Sequence, residues 1–182
     1  MQQVVLIMGT NGTGKSSAAR GILGNDFFVD GELTFKKDYS ICLIGNYKQK
    51  FGGVDGLNRV IDLHELIKKG LERSNLVIAE GVKLHSFGLS IQKAASVCNE
   101  TTIVLLVAGA KTIDERIKKR GGRGVTAQIL KDQKNCLSAL IKFKQIGVRT
   151  MIIKTDNLST DFVAQKISTI WDATTLRDGL PK

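Results

Sequence analysis

A phosphate-binding loop is the first feature of the chain that predicts chemistry. The consensus G-x-x-x-x-G-K-[ST] is matched in full by Gly9-Thr10-Asn11-Gly12-Thr13-Gly14-Lys15-Ser16. The glycines let the backbone turn N–H groups toward one phosphate, and the helix N-terminus that follows adds partial positive charge. In such loops the lysine reaches the β- and γ-phosphates and the hydroxyl binds Mg²⁺. We therefore expect Lys15, Ser16 and the adjoining Ser17 to bind ATP and Mg²⁺. A chance glycine-rich turn is the alternative, and the flanking strand and helix patterns argue against it.

Three carboxylates are candidates for accepting a proton from an attacking hydroxyl. Glu80 ends an apolar run, where it can hold Mg²⁺ through water or act as the base. Asp55 lies in a crowded glycine-rich stretch and is the first candidate for contacting the acceptor hydroxyl. Asp30 also ends a strand pattern. Each of the first two also has a non-catalytic interpretation. Glu80 can simply be an acidic residue that starts a loop, and Asp55 can be an acidic residue at a helix N-terminus. The sequence leaves the choice among the three open.

A basic segment is predicted to close over transferring phosphates as a lid at about residues 112–126. Arg116 and Arg120 are spaced i,i+4 on a helix, and Arg123 follows two glycines that can act as a hinge. With Lys119, these side chains can neutralise charge that develops in a transition state. The alternative is a solvated basic helix face.

The stretch at about residues 45–59 is predicted to bind the acceptor. It combines glycines, basic side chains and the aromatic residues Tyr47 and Phe51. Aromatic faces can hold a nucleobase, to which Phe35 can also contribute, and basic groups such as Arg59 can meet its phosphates. The predicted acceptor-binding residues are Tyr47, Phe51, Gly53, Asp55 and Arg59.

A further nucleotide contact is predicted after the last strand pattern. The residues Lys154-Thr155-Asp156-Asn157 can pack on the adenine ring, and Asn157 is the residue assigned to ATP there. Asn157 or Ser159 can equally be the cap of the last helix.

The elements that must position these residues alternate between strand and helix patterns. Predicted strands cover residues 4–8, 27–29, 33–35, 40–44, 76–79, 102–107 and 150–154. Predicted helices cover residues 15–23, 57–73, 87–97, 112–119, 126–146 and 161–173, with a frayed end from Thr174. The alternation predicts a single α/β domain over residues 1–182, with a parallel sheet and helices on both faces. Ligands of such sheets lie at the carboxyl ends of the strands.

Composition narrows the class of protein. The three cysteines, Cys42, Cys98 and Cys136, have no C-x-x-C spacing and are expected to be reduced thiols of a cytoplasmic protein. His64 and His85 lie at no ligand-like spacing from them, so a structural metal is not expected. No run is long enough to span a membrane or serve as a signal peptide, so no membrane partner is expected.

The net charge of +10 is concentrated in one part of the chain. Between Lys111 and Arg149 there are eleven Lys/Arg and three Asp/Glu, a local surplus of eight. Such a surface favours a polyanionic partner, because each neutralised phosphate releases counterions. The alternative is the modest basicity common around small phosphate ligands.

Together these motifs resemble the P-loop kinases of nucleosides, nucleotides and polynucleotides. The segments Gly45-Asn46-Tyr47 and Phe51-Gly52-Gly53-Val54-Asp55-Gly56 resemble more narrowly a group of bacteriophage P-loop kinases. That group includes the 5-hydroxymethyluracil DNA kinases, which phosphorylate the hydroxymethyl group of a modified base in DNA during thymidine hypermodification. The resemblance spans nearly the whole chain, from Val4 to the last helix.

The resemblance implies a five-stranded parallel core that binds ATP and Mg²⁺. It implies phosphate and metal roles for Lys15 and Ser16 and lid roles for Arg116, Arg120 and Arg123. It does not assign the catalytic base. The chain departs from familiar nucleoside kinases at Glu80-Gly81, where those enzymes carry an Asp-Arg pair after the strand, and this argues against a plain nucleoside kinase.

Three functions follow as expectations. The first is transfer of the γ-phosphate of ATP to 5-hydroxymethyluracil in DNA, for which the base must leave the stack. The second is a deoxynucleoside monophosphate kinase that acts on free nucleotides. The third is a nucleotide-binding switch or assembly ATPase, against which the kinase-like lid argues.

Overall fold

A seven-stranded sheet organises the part of the chain that the computed structural model describes, residues 1–49, 52–57 and 63–177. The strands are β1 (Gln3–Met8), β2 (Phe27–Asp30), β3 (Leu33–Lys36), β4 (Ile41–Ile44), β5 (Leu76–Gly81), β6 (Glu100–Val107) and β7 (Arg149–Lys154). The helices are α1 (Lys15–Leu23), α2 (Leu63–Leu71), α3 (Gly88–Ser96), α4 (Ala110–Lys119), α5 (Ala127–Gln145) and α6 (Thr160–Arg177). Two 3₁₀ turns cover Val54–Gly56 and Lys83–Ser86.

The strand order is β2-β3-β4-β5-β1-β6-β7, and the five strands from β4 to β7 in this order are all parallel. The predicted five-stranded parallel core is therefore confirmed. The sheet has seven strands in all, because β3 pairs antiparallel with β4 and the edge strand β2 pairs antiparallel with β3; the prediction of a parallel sheet included both strands but not this antiparallel pairing. Only short turns join β2 to β3 and β3 to β4, and a parallel pair needs a much longer crossover.

Helices cover both faces of the sheet, as predicted. Strand β1 shows why, because its side chains alternate between two buried clusters. Val4 and Leu6 pack with residues of α2, α3 and α5, whereas Val5 and Ile7 pack with residues of α1 and α6. A central strand that is apolar on both sides is buried on both sides. This burial fixes the position of β1 and of the loop that follows it.

Most predicted elements differ from the observed ones by one to three residues at their ends. The prediction of a helix from residue 57 is wrong at its start, since Leu57 follows the 3₁₀ turn in extended geometry and α2 begins at Leu63. Residues 58–62 lie outside the described residues. At the other end of the chain, α6 continues to Arg177, beyond the predicted end at residue 173.

The structure also gives the burial of the three cysteines and the apolar character of the helices. Cys42 and Cys136 are buried free thiols, and Cys98 is a half-buried one. Among the described residues, no helix has the length and apolar character that crossing a membrane requires.

Candidate active site

The phosphate-binding loop leaves the centre of the sheet and opens directly into α1. Strand β1 lies between β5 and β6, so the loop emerges where three strands end. Gly14 precedes the helix with φ 96°, a left-handed conformation that glycine adopts without strain. The first N–H groups of a helix have no partner within it and are available to an anion. The predicted strand, loop and helix are thus confirmed.

Lys15 lies inside this loop and not on its surface. Its side chain is 6% exposed, and its Nζ donates to the backbone oxygen of Thr10 at 3.1 Å. Burial lowers the pKa of Lys15, and the nearby negative charge of Glu80 acts against that shift. The ammonium group is therefore held at the loop, where a phosphate can replace water as its partner.

Two threonines brace the loop from within. The Thr13 hydroxyl donates to the Thr10 backbone oxygen at 2.8 Å, and the Thr10 hydroxyl donates to the Ile129 backbone oxygen at 3.1 Å. The second bond joins the loop to α5. The loop is thus preorganised, which reduces the entropy lost when a ligand binds.

Glu80 lies next to the loop because β5 pairs directly with β1. In this register Ile7 is opposite Glu80 and Met8 is opposite Gly81. The Glu80 side chain is 2% exposed. Burial raises the pKa of Glu80, whereas the charge of Lys15 and a hydrogen bond with Ser16 favour the ionised carboxylate. The structure thus brings together Lys15, Ser16 and Glu80.

The donor atoms at this point suit Mg²⁺. Mg²⁺ prefers oxygen ligands and is usually held by one or two protein groups together with substrate phosphates. The Ser16 hydroxyl and the buried Glu80 carboxylate supply oxygen atoms beside the phosphate loop. Within the described residues there is no group of three or more His, Cys, Asp or Glu side chains that could hold a metal. The Ser16 and Glu80 oxygens therefore fit a nucleotide-bound Mg²⁺.

Two adjacent cavities adjoin the loop, and they share Gly14 and Arg120 as walls. The smaller, of about 300 Å³, is lined by Asn11, Gly12, Gly14, Lys15, Ser16, Ile117, Arg120, Gly122 and Ile129. The larger, of about 500 Å³, is lined by Thr13, Gly14, Ser17, Arg116, Lys119, Arg120, Thr155, Leu158, Ser159, Thr160 and Val163. The first has the cationic lining that suits phosphates. The second has the size that suits a nucleoside, and its walls combine the apolar Leu158 and Val163 with hydroxyl groups and the basic Arg116, Lys119 and Arg120. We call the two the phosphate cavity and the nucleoside cavity.

Arg116 ties the lid helix to the loop. Its guanidinium donates to the Gly12 backbone oxygen at 3.2 Å and to the hydroxyl and backbone oxygen of Thr155 at 3.0 and 2.5 Å. Thr155 in turn donates to the Thr13 backbone oxygen at 3.1 Å. Arg116 also lines the larger cavity, and its predicted role in charge neutralisation stays a prediction.

The lid segment has the predicted break between two helices. Helix α4 ends at Lys119 and α5 begins at Ala127, so the stretch 121–124 is non-helical. The segment is held back on α4 by Asp114, which accepts from the Val125 backbone N–H at 2.9 Å and pairs with Lys118 at 2.7 Å. Arg120 and Lys119 line the cavities, and Arg123 is exposed in the break. Closure of the lid stays a prediction.

Asp55 lies near the loop, and the backbone holds its carboxylate. One oxygen accepts from the Val82 N–H at 2.6 Å and the other from the Lys83 N–H at 3.0 Å. Asp55 is nevertheless exposed, and its charge is felt by both Lys15 and Glu80. Each carboxylate oxygen has a second lone pair, so these bonds fix the group without blocking it. Asp55 therefore remains a candidate base at a fixed position.

The sequence predicts that Tyr47 lines the acceptor site, but the structure buries its side chain against Glu80. Its side chain is 1% exposed, and its hydroxyl donates to Glu80 Oε1 at 3.3 Å. Gly52 lies so close to the ring that a Cβ there would be 2.8 Å from a ring carbon. Gly53 has φ 76°, and a Cβ at this position would overlap the Glu80 carboxylate. Tyr47 and Gly53 thus pack on Glu80, and in this structure neither presents a surface for stacking a base.

The remaining predicted acceptor residues lie apart from the loop or outside the described residues. Asp30 is exposed on the edge strand β2 and pairs with Arg73 at 2.5 Å. Phe35 is buried on β3, where the Arg73 guanidinium lies 4.3 Å from its ring centroid. Phe51 and Arg59 lie outside the described residues. The structure therefore does not bring Asp30 or Phe35 to the site.

The segment after β7 lines the nucleoside cavity through Thr155, Leu158 and Ser159. Asn157 is exposed beside them, and its contact with adenine stays a prediction. Ser159 accepts from the Phe162 N–H at 3.2 Å, so the alternative that this serine caps the last helix is confirmed.

Sequence reasoning missed two residues that hold the site together. Arg20, one turn beyond Ser16 on α1, donates to the backbone oxygens of Tyr47 and Gln49 at 2.9 and 2.5 Å. Asp156 accepts from the Gly109 N–H and the Thr112 hydroxyl at 2.7 and 2.8 Å, which fixes the start of α4. The spacing of Arg20 from Ser16 was visible in the sequence. The segment that Arg20 contacts was not, because that contact is tertiary.

The fold is similar to those of solved proteins that include kinases. A tunicamycin resistance protein from Deinococcus radiodurans aligns with a TM-score of 0.55 and 16% identity, over 100% of this chain and 98% of that one. A sugar kinase from Janibacter sp. aligns with a TM-score of 0.53 and 16% identity, over 94% and 95%. A deoxyadenosine kinase from M. mycoides, solved with bound dCTP, aligns with a TM-score of 0.51 and 15% identity, over 93% and 99%.

These similarities establish that the chain has the P-loop kinase fold, and at such identities they establish the fold alone. No protein-family model matches the chain, and a search of the curated proteins finds no match. Substrate arguments therefore rest on the site.

Proposed function

We propose that this protein is an ATP-dependent phosphotransferase that acts on a hydroxyl group. The observation that carries the proposal is the buried pair of Lys15, at the start of α1 after the loop that follows β1, and Glu80, on the neighbouring strand β5. Arg120 lines both the phosphate cavity above them and the neighbouring nucleoside cavity. An acidic and a basic group buried together beside a phosphate loop are costly for folding and are typical of functional sites.

Each group at the loop has a role in this reaction. The loop N–H groups and Lys15 bind the β- and γ-phosphates, and Arg120 and Arg123 approach the equatorial oxygens from the lid. Ser16 and Glu80 would hold Mg²⁺, which supplies charge neutralisation between the β- and γ-phosphate oxygens when bound. The acceptor oxygen forms a bond to the γ-phosphorus while the bond to the β–γ bridging oxygen breaks. ADP leaves, and the hydroxyl proton passes to a carboxylate.

We propose that Asp55, in preference to Glu80, is the carboxylate that accepts the proton of the acceptor hydroxyl. Asp55 is exposed and rigidly held, whereas Glu80 is enclosed and faces Ser16 and Tyr47. The substitution Asp55→Asn keeps the shape of the side chain and one of the two backbone contacts, because the amide oxygen still accepts, and it removes proton acceptance. We expect it to reduce phosphoryl transfer by about 100-fold or more while ATP affinity stays near wild type. A fully active Asp55→Asn protein would overturn the assignment.

For the acceptor we propose the hydroxymethyl group of 5-hydroxymethyluracil in DNA. Two observations support it: the resemblance of the segment 45–56 to the bacteriophage kinases, and the surplus of eight basic residues between Lys111 and Arg149. On α5 the side chains of Lys131, Lys134, Lys142 and Lys144 are exposed, so part of this surplus faces solvent. A free deoxynucleoside monophosphate is the alternative acceptor, because one small anion needs less basic surface than a strand of DNA.

A labelling experiment separates these possibilities. The protein is incubated with γ-labelled ATP and, in separate reactions, with 5-hydroxymethyluracil DNA, ordinary DNA and a panel of deoxynucleotides. Label on modified DNA alone supports the proposal, and label on free nucleotides supports the alternative acceptor. Release of phosphate with no labelled acceptor would indicate a switch or assembly ATPase. Lys15→Met serves as the inactive control in every arm.

A further inference from the structure

We propose that Tyr47 is a positioning residue for the metal side of the site: its hydroxyl fixes the Glu80 carboxylate so that Glu80 and Ser16 together support nucleotide-bound Mg²⁺. This inference rests on the donor half of the proposed function, and it gives Tyr47 a different role from the base stacking that its sequence context predicted.

The contact itself is enclosed and polar. Tyr47 is 1% exposed and Glu80 is 2% exposed, and the Tyr47 hydroxyl donates to Glu80 Oε1 at 3.3 Å. A phenol is protonated at neutral pH and an ionised carboxylate can only accept, so Tyr47 is the donor of this bond. The same carboxylate hydrogen bonds with Ser16. Glu80 is therefore held between Tyr47 and the serine that is expected to meet the metal.

Tyr47 can orient Glu80 only because its own position is fixed on several sides. Its backbone N–H donates to the Thr34 hydroxyl at 3.2 Å, and Thr34 donates to the Gly45 backbone oxygen at 2.6 Å. The Gly52 backbone lies against one part of its ring. A buried phenol in such a setting has one orientation, and a hydrogen bond from it has one direction.

Arg20 connects Tyr47 to α1, the helix that carries Ser16. Its guanidinium donates to the Tyr47 backbone oxygen at 2.9 Å and lies 5.7 Å from the centroid of the Tyr47 ring. Arg20 and Ser16 are both on α1, one turn apart. The chain of contacts thus runs from Ser16 to Glu80, to Tyr47, to Arg20 and back to α1. Groups that orient metal ligands in this way commonly change metal affinity by about 10–100-fold when removed.

The experiment measures metal affinity and not turnover. Binding of a non-hydrolysable ATP analogue, AMP-PNP, is titrated calorimetrically with excess Mg²⁺ and with EDTA, for wild type and for Tyr47→Phe. We call the ratio of AMP-PNP affinity with Mg²⁺ to that with EDTA the Mg²⁺ gain. For Tyr47→Phe we expect the affinity in EDTA to stay near wild type and the Mg²⁺ gain to fall by about tenfold. Tyr39→Phe is the matched control, because Tyr39 is the other tyrosine of the chain and its hydroxyl contacts Arg73 on the outer hairpin.

A double-mutant comparison tests the route through Glu80. If Tyr47 acts by orienting Glu80, then Tyr47→Phe added to Glu80→Gln lowers the Mg²⁺ gain no further. Additive losses, or equal losses with Mg²⁺ and with EDTA, would overturn the positioning role. If Mg²⁺ increases AMP-PNP affinity equally in wild type and in Tyr47→Phe, the positioning role is overturned, while the proposed function stands. If wild type binds no AMP-PNP at all, the proposed function itself fails and this inference fails with it.

Discussion

The two halves of the site are built in different ways. The donor half consists of the loop after β1, the lid and the segment after β7, and these meet through backbone groups at strand and helix ends. The proposed acceptor half, residues 45–49 and 52–57, is assembled by close packing, in which glycines lie against Tyr47 and against Glu80 of the donor half. A loop between regular elements has a sequence signature, whereas a packed irregular segment depends on contacts distant in sequence. The difference predicts distinct responses to substitution.

The largest effect is expected in the donor half, from Lys15→Met. The substitution removes the buried charge that faces the phosphates and leaves Glu80 without its nearby cation. We expect phosphoryl transfer to fall by at least about 100-fold and nucleotide affinity to fall as well, measured by the labelling assay and by calorimetry.

The control for this change is Lys166→Met, since Lys166 lies exposed on α6 against the Phe162 ring. This variant should stay within about threefold of wild type. Comparable losses in both variants would mean that general charge, and not the position of Lys15, supports the reaction.

In the acceptor half, Gly53→Ala is expected to act mainly on stability. Gly53 has φ 76°, and an added Cβ would overlap the Glu80 carboxylate and backbone. With ψ −175° this backbone conformation is essentially restricted to glycine, and it alone costs about 1–3 kcal/mol for alanine. The overlap should bring the total to roughly 3 kcal/mol or more, measured as the free energy of unfolding in urea.

Gly147→Ala is a matched control for Gly53→Ala. Gly147 has φ 85°, and a Cβ there meets no atom within 4 Å among the described residues. The control should show the conformational cost without the overlap. Equal losses of stability in the two variants would show that the acceptor segment does not pack on Glu80 as described.

A smaller effect is expected at the joint between the two halves, from Arg20→Lys. Lysine keeps the charge but lacks the planar fork that reaches the backbone oxygens of Tyr47 and Gln49. We expect amide hydrogens of residues 45–49 to exchange about tenfold faster, measured by hydrogen exchange with mass spectrometry. Exchange within α1 should be unchanged.

Arg149→Lys is the comparison for Arg20→Lys, because Arg149 lies on the far edge strand β7, where it pairs with Glu100 of β6. It should leave exchange of residues 45–49 at the wild-type rate. If Arg20→Lys also does so, the two halves are not joined through Arg20.

The same contrast explains how much the sequence could predict. Lys15, Ser16 and Glu80 were placed together correctly from their strand ends, because parallel strands in register bring those ends to one edge. Tyr47 was assigned to a base because an aromatic residue among glycines and lysines gives no sign of burial. Its interior position follows from Arg20, Thr34 and Gly52, which are distant in sequence or carry no side chain. The carboxyl-end rule thus predicted the donor half, and tertiary packing decided the acceptor half.

The smallest effect is expected at Asp156, which ties the start of α4 to the segment after β7. Hydrogen bonds from the Gly109 N–H and the Thr112 hydroxyl lower the pKa of Asp156 from its usual 3.8. A carboxyl group with a lowered pKa stabilises the fold above pH 3.8, and the contribution is lost as the pH falls through the folded value. Asp156→Asn should therefore lower the free energy of unfolding by only about 0.5 kcal/mol near neutral pH, because solvent screens the charge of this exposed group and the amide oxygen can still accept both bonds.

The pH dependence distinguishes this role from simple packing. The difference in unfolding free energy between wild type and Asp156→Asn should shrink as the pH is lowered below 3.8, because the wild-type carboxyl then also becomes neutral. Thr112→Val removes one of the two hydrogen bonds and should show the same trend with a smaller amplitude. A difference that is constant from neutral to acid pH would mean that the charge of Asp156 does not hold α4. Nucleotide affinity should change little in either variant, because Arg116 and Thr155 still join the lid helix to the loop.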